Sequence, residues 1–134
     1  MLKVDNFIDG YHCFSTAAYY SNNLGGFPVG RPSGGLAILV NNELLHLTTI
    51  IGSSDRYLIV KIGKCLLCNI YLPCAGTSNR GVILDNLLLE LTEYFNSHSN
   101  CCIVLGGDFN VNLHTNDDTV SRRCNEFLAN FGLV

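Results

Sequence analysis

Three consecutive segments in the second half of the chain constrain its fold most. They are an apolar run at 65–72, an amphipathic run at 81–96 and a second apolar run that begins at 101. Short apolar runs bounded by Gly and Pro predict buried strands, whereas apolar residues spaced three and four positions apart predict a helix. A strand, a helix and a further strand form a crossover, which makes the two strands parallel neighbours. The carboxyl ends of both strands are therefore expected at one edge of a sheet.

Polar residues close both apolar runs at this expected edge. Tyr71 closes the first run, and Asp108 and Asn110 follow the paired glycines Gly106 and Gly107 of the second. In an extended segment, side chains two positions apart point to the same face. A carboxylate accepts a proton from water or helps to hold a metal ion, an amide donates to a phosphate oxygen, and a phenol donates to phosphate or orients an attacking water. Each residue also has a purely structural explanation, because Asp and Asn satisfy loop backbone and a Tyr at a sheet edge keeps its hydroxyl in water.

The middle of the chain predicts an antiparallel meander. Strands are expected at about 11–20, 36–40, 44–51, 56–62 and 65–72. Asn41-Asn42 is expected to form a hairpin turn between the second and third of these strands, and Gly63-Lys64 a hairpin turn between the last two. The Gly- and Pro-rich segment 21–35, which contains Arg31, is expected to be a surface loop, because a strand and not a helix follows it.

Two helices complete the predicted body. The first spans 81–96, and the second follows a polar loop at 112–118, with Asp118 or Thr119 as its cap and Gly132 at its end. Arg122 and Arg123 are expected to face solvent. The apolar stripes of the two helices are expected to be core: Ile83, Leu84, Leu87, Leu88, Leu91 and Phe95 in the first, and Val120, Cys124, Phe127, Leu128 and Phe131 in the second.

Composition limits the function classes. The chain has 134 residues, of which 48% are hydrophobic and 14% charged, so one folded domain over 1–134 is expected and disorder is not. The net charge of -3 argues against a stand-alone nucleic-acid binder, though not against an enzyme that meets phosphate through a metal ion. No apolar run approaches the ~20 residues of a membrane helix, and the start lacks the apolar core of a signal peptide.

The cysteines indicate a reducing compartment inside the cell. The chain has seven, an odd number, and most lie in apolar runs, where they are expected to be small core residues. Cys65 and Cys68 mimic a metal-binding pair, but their odd offset on a predicted strand sends them to opposite faces. No second Cys or His pair with suitable spacing follows, so a zinc site is not expected.

Taken together, the segments 30–39, 56–60, 69–73 and 105–110 resemble, in order and spacing, the endonuclease/exonuclease/phosphatase superfamily. The closest resemblance is to the apurinic-type endonuclease domains of LINE-type non-LTR retrotransposons. It implies an α/β (α+β) fold, a two-sheet sandwich of the DNase I-like type with outer helices. It also implies hydrolysis of a phosphodiester in DNA with Mg²⁺, or alternatively Mn²⁺, as the ion. A reverse transcriptase domain in the parent polypeptide and a nuclear location are further implications, and no membrane partner is expected.

The resemblance assigns roles to particular residues. Tyr71 matches the active-site tyrosine of the family, and Asp108 matches the aspartate that activates the nucleophilic water, with a secondary or water-mediated contact to the metal. Asn110 matches the asparagine that positions the phosphate. Arg56 stands where some relatives contact the nucleic-acid backbone.

The chain also departs from the family pattern. The family begins with a strand that bears an Asn and then a strand that bears the metal-binding Glu, and it ends with a strand that bears a Ser-Asp-His-like motif. The chain is interpreted as starting after the first two and stopping before the last. Glu43 lies in the predicted meander and cannot replace that Glu. The chain is therefore interpreted as a partial domain with exposed sheet edges, poor solubility, weak metal binding and impaired or absent activity alone. The alternatives are another phosphoesterase of the superfamily, such as an inositol phosphatase or a sphingomyelinase-like enzyme, and a non-catalytic remnant or interaction module.

Overall fold

The computed structural model describes residues 8–19 and 33–133. Arg31 and most of the predicted loop 21–35 lie outside these ranges, as does the end of the predicted first strand. Within them the chain is a mixed α/β structure. In chain order the elements are β1 (Tyr11–Ser15), β2 (Ala18–Tyr19), β3 (Ser33–Gly34), β4 (Ala37–Asn41), a 3-10 helix (Asn42–Leu47), β5 (Thr48–Ser53), β6 (Tyr57–Ile62), β7 (Cys65–Tyr71), α1 (Arg80–Ser97), β8 (Cys102–Asp108) and α2 (Thr119–Asn130).

The largest sheet has the strand order β5-β6-β7-β8. The first three strands are antiparallel, and β8 runs parallel to β7, to which α1 connects it. The predicted crossover is therefore confirmed. Gly63, with φ of 57°, lies in the β6–β7 turn, in agreement with the hairpin expected there. Two smaller sheets each hold two antiparallel strands, β1 with β4 and β2 with β3.

The predicted hairpin at Asn41-Asn42 is wrong. β4 pairs with β1 and not with β5, and a 3-10 helix occupies the first residues of the strand that was expected at 44–51. The reason is local: the Asn41 side chain accepts a hydrogen bond from the Glu43 backbone N–H at 2.9 Å, which caps the 3-10 helix where a turn was expected. His46 accordingly lies in this helix and not on a strand.

The four-stranded sheet has a different partner on each face. Alternate residues of β7 are buried against the two helices, as period-two alternation requires. The opposite face carries Leu58 and Val60, which pack against Leu36 and Val40 beside the small β1–β4 sheet. The order of layers is thus small sheet, large sheet and helices, and β7 lies near the middle of the molecule.

Each helix buries most of the stripe expected of it, while Ile83, Leu88, Val120 and Phe131 are only partly buried. In α1 the buried residues are Leu84, Leu87, Leu91 and Phe95. In α2 the Asp118 carboxylate accepts the Ser121 backbone N–H at 2.7 Å, which confirms the predicted cap. Gly132, with φ of 64°, lies just beyond the helix as expected. In the described part of the chain, no helix has both the length and the apolar character needed to cross a membrane.

Arg123 is not simply solvated, contrary to the expectation. Its Nη1 lies 2.8 Å from Asp85 Oδ1, so that an ion pair joins α2 to α1. Both side chains remain substantially exposed, and an exposed pair of this kind contributes about 0.2–1 kcal/mol. The pair is therefore a minor addition to the apolar packing between each helix and the sheet.

Candidate functional site

Tyr71 and Asp108 lie side by side at the end of the sheet. They are Cα partners in the parallel register of β7 and β8, which ends with this pair. Paired residues on neighbouring strands point to the same face, here the face of the small sheet, against which Tyr71 is partly packed. The expected meeting of the two strand ends is therefore confirmed. The Leu72 N–H donates to the Asp108 carbonyl oxygen at 2.9 Å and extends the pairing by one step.

Asn110 reaches the same place by a different route from the one expected. β8 ends at Asp108, and Asn110 has a left-handed backbone conformation with φ of 49°, so strand alternation does not orient it. Its side-chain Nδ2 donates to the Leu72 carbonyl oxygen at 2.9 Å, and its backbone N–H donates to Asp108 Oδ1 at 3.1 Å. One of the two amide N–H groups is thus occupied by Leu72, the residue after β7, which among the described contacts leaves the other N–H and the Oδ1 acceptor.

Arg80 fixes this turn and was missed in the sequence. Its Nε donates to the Pro73 carbonyl oxygen at 2.9 Å, and its Nη2 donates to the Asn110 carbonyl oxygen at 2.8 Å. The guanidinium therefore joins Pro73, two residues after β7, to the segment after β8. Arg80 is the first residue of α1, and the sequence around it does not indicate this role, because both acceptors are backbone oxygen atoms of other segments.

Arg56 brings a positive charge to the phenol. Its guanidinium carbon lies 5.1 Å from the centroid of the Tyr71 ring, a cation–π distance, and the Tyr71 N–H donates to the Arg56 carbonyl oxygen at 2.8 Å. Its contact with Asp55 is long, at 3.8 Å between Nε and Oδ2. The carboxylate of Asp108, the phenol of Tyr71 and the guanidinium of Arg56 thus occupy one end of the sheet.

Gly107 permits the close approach of β8 to β7. Its φ is 135°, and a Cβ atom placed there would overlap the Ile70 carbonyl oxygen and lie 2.7 Å from the Ile70 nitrogen. The atoms that come close to Gly107 therefore belong to the neighbouring strand β7. Gly106 differs, because none of the described atoms beyond its chain neighbours lies within 4 Å of a Cβ atom there.

A cavity of about 230 Å³ lies beside Arg56, between the β5–β6 turn and α1. Its lining includes Asn86, Glu90 and the buried Tyr57, but none of Tyr71, Asp108 and Asn110. Burial raises the pKa of the Tyr57 phenol, and the neighbouring Tyr94 and Glu90 raise it further. The cavity therefore adjoins the predicted site without being part of it.

The described residues supply few ligands for a divalent ion. Within 8–19 and 33–133 no group of three or more His, Cys, Asp or Glu side chains is arranged to hold a metal. Mg²⁺ is usually held by one or two carboxylates together with water and substrate oxygens. Asp108 is the carboxylate that ends β8, and the other acidic side chain described at this end, Asp55, lies beside Arg56 with its Oδ2 3.8 Å from Nε. Glu43 is distant, because its 3-10 helix contacts the Gly63 turn at the opposite end, where the Gly63 N–H donates to Leu47 O. On this donor set the residues that the structure describes do not form a complete magnesium site.

Comparisons with protein-family models, with curated proteins and with solved structures found no match to this chain.

Proposed function

We propose that this chain is part of a phosphodiesterase of the endonuclease/exonuclease/phosphatase superfamily, of the DNase I-like fold, most similar in function to the DNA endonucleases of LINE-type retrotransposons. The observation that supports this proposal is the register of β7 and β8, which pairs Tyr71 with Asp108 at one end of the sheet. The resemblance of the sequence assigns active-site roles to the same two residues. The small sheet, the large sheet and the helices lie in successive layers, and this arrangement is compatible with part of a two-sheet sandwich with outer helices.

Each residue has a defined part in this proposal. The exposed Asp108 carboxylate accepts the proton of the attacking water, and its bond to the Asn110 N–H holds the carboxylate in one orientation. The Tyr71 hydroxyl donates to a phosphate oxygen or orients the water. Asn110 offers its remaining N–H to the phosphate, and Arg56 adds positive charge beside the ring.

The metal is the weak part of the proposed site. In the superfamily Mg²⁺ neutralises charge on the phosphate, but Asp108 alone provides too few oxygen ligands for tight binding. We therefore propose that the site binds Mg²⁺ or Mn²⁺ weakly. The same shortage favours the alternative of a non-catalytic remnant or interaction module. The geometry of Tyr71 and Asp108 suits a phosphate ester of DNA, of an inositol phosphate or of sphingomyelin equally.

Plasmid nicking tests the catalytic roles. The chain is incubated with supercoiled plasmid and Mg²⁺ or Mn²⁺ at low ionic strength, because salt weakens the contacts between basic side chains such as Arg56 and DNA phosphates. We expect little or no nicking. Whatever activity is measured should be lost in Asp108→Ala and retained in Asp117→Ala, a matched change in an exposed loop. Metal-dependent nicking that is equal in wild type and Asp108→Ala would contradict the role of Asp108, and robust nicking lost in that variant would contradict the weak-metal argument.

A substrate panel separates the alternatives. Duplex DNA, an inositol polyphosphate and sphingomyelin vesicles are offered under the same conditions, and released product is measured. Turnover of one of the last two, lost in Asp108→Ala, would assign the chain to another phosphoesterase class. No turnover and no binding of any of the three would favour the interaction module.

A further inference from the structure

Two cysteines face each other at the end of the sheet opposite to Tyr71 and Asp108. Cys65 begins β7 and Cys102 begins β8, and they are Cα partners in the parallel register. The Cys102 N–H donates to the Lys64 carbonyl oxygen at 2.8 Å, which holds the two strand starts together. Neighbouring strands lie about 4.8 Å apart, and this is within the range of Cα separations that disulfides span, about 4.4–6.8 Å.

The surroundings distinguish these two thiols from the others. Cys102 is exposed and Cys65 is half-buried, while Cys68 and Cys124 are buried in the core. Cys101, next in sequence to Cys102, points the other way and packs against the core on the helix side of the sheet. Burial raises the pKa of the Cys65 thiol, and the neighbouring thiols of Cys102 and, to a smaller extent, Cys101 raise it further. All seven cysteines are free thiols in the structure.

We propose that Cys65 and Cys102 are a redox modification site, which forms a reversible intramolecular disulfide by exchange with a low-molecular-weight disulfide such as oxidised glutathione.

The reaction has two balanced steps. The exposed Cys102 thiolate attacks one sulfur of the small disulfide, forms a mixed disulfide and releases one small thiolate. The Cys65 thiolate then attacks the Cys102 sulfur, forms the intramolecular bond and releases the second small thiolate. Two protein thiols are oxidised, one small disulfide is reduced to two thiols, and the two protons from the protein pass to those products.

The bond should be easily reduced. A disulfide needs Cβ atoms about 3.5–4.5 Å apart, less than the spacing of the strands that carry them. The strand starts must therefore move together when the bond closes, and strained disulfides are the readily reduced ones. A labile disulfide is compatible with the reducing compartment that the cysteine usage predicts, where a permanent one is not.

Thiol trapping with peptide mass spectrometry tests the proposal. The reduced chain is incubated with oxidised glutathione at about pH 8, where thiolate is present, then quenched with acid, alkylated and digested with trypsin without reduction. Cleavage after Lys64, Arg80 and Arg122 places Cys65 on peptide 65–80 and Cys102 on peptide 81–122. We expect a cross-linked pair of these two peptides, which dithiothreitol removes.

Single substitutions assign the sulfur atoms. The cross-linked pair should disappear completely in Cys65→Ser and in Cys102→Ser and persist in Cys101→Ser, the matched neighbour on the other face. Circular dichroism verifies the fold of each variant, and the exposed Cys102→Ser decides the question if Cys65→Ser fails to fold. Persistence of the cross-link in Cys102→Ser would overturn the proposal. Detection of mixed disulfides alone in the wild type would overturn it too.

Discussion

At the scale of single residues, the candidate site is held by contacts to backbone atoms. Gly107 lies against the backbone of Ile70, Asn110 donates to Leu72 O, and Arg80 donates to both Pro73 O and Asn110 O. The contacted atoms are all backbone atoms, which a residue of any type would supply at the same position. The sequence therefore names the polar residues of the site but not the atoms that fix their positions.

Gly107→Ala should destabilise the fold by roughly 3 kcal/mol, because the new Cβ overlaps the Ile70 carbonyl oxygen and the positive φ is strained for any L side chain. Gly106→Ala is the matched control, since a Cβ there meets open space among the described residues. Urea unfolding followed by circular dichroism measures both. Equal stability of the two variants would show that β8 does not approach β7 as described.

Arg80→Met should destabilise the chain by about 1–3 kcal/mol, because two backbone carbonyls lose a charged donor. Amide hydrogen exchange should rise at Asn110 and in the segment after β8. Arg122→Met is the control, an exposed arginine on α2. Hydrogen exchange that rises equally in both variants would contradict the role of Arg80 in holding the segment after β8.

At the scale of elements, the start of α2 provides a prediction for acid conditions. The hydrogen bond from the Ser121 backbone N–H lowers the pKa of Asp118 in the folded chain below its unfolded value of about 3.9. The carboxylate therefore stabilises the fold at any pH above that value, and the contribution is lost as the pH falls through the lowered pKa.

Thermal unfolding at pH 7 and at about pH 3 tests this prediction. Asp118→Asn keeps a capping oxygen that does not ionise, so its melting temperature should fall less between the two pH values than that of the wild type. Asp117→Asn removes a neighbouring carboxylate but keeps the cap, so it should behave as the wild type does. An equal fall in Asp118→Asn and wild type would contradict the role of this bond.

Most elements could be predicted from periodicity and turn residues, and the failures have local causes. The α1 stripe and the Gly63 turn are consistent local signals, and both are confirmed. The turn at Asn41 failed because Asn is equally suited to a hairpin and to a helix cap. Its side chain makes the cap, and the partner of β4 is β1, a choice that depends on contacts between distant residues.

At the scale of the whole molecule, the edge of the four-stranded sheet is open within the described residues. β8 is the last strand there, and Val104 on it is 49% exposed. An unpaired edge with an apolar side chain promotes association between chains. We expect self-association at high concentration that Val104→Lys reduces and Val82→Lys, at a more exposed position on α1, does not. Sedimentation velocity measures this, and a monomeric wild type at every concentration would contradict the expectation.

The central part of the site could be predicted because it depends on topology. A strand, a helix and a further strand allow few arrangements, and the usual one brings Tyr71 and Asp108 together. The position of Arg56 over the Tyr71 ring could not be predicted, since it depends on how β6 pairs with β7. The role of Arg80 was equally hidden, because it depends on the path of two connections.

The central claim is that Tyr71, Asp108 and Asn110 form one surface that binds a phosphodiester. The most direct measurement is an NMR titration of the isotope-labelled chain with a short DNA duplex and Mg²⁺ at low ionic strength. The claim predicts that chemical-shift changes concentrate at these three residues and at Arg56, while the Gly63 end of the sheet does not change. Shifts that concentrate at that opposite end, or no saturable shifts at all, would contradict it.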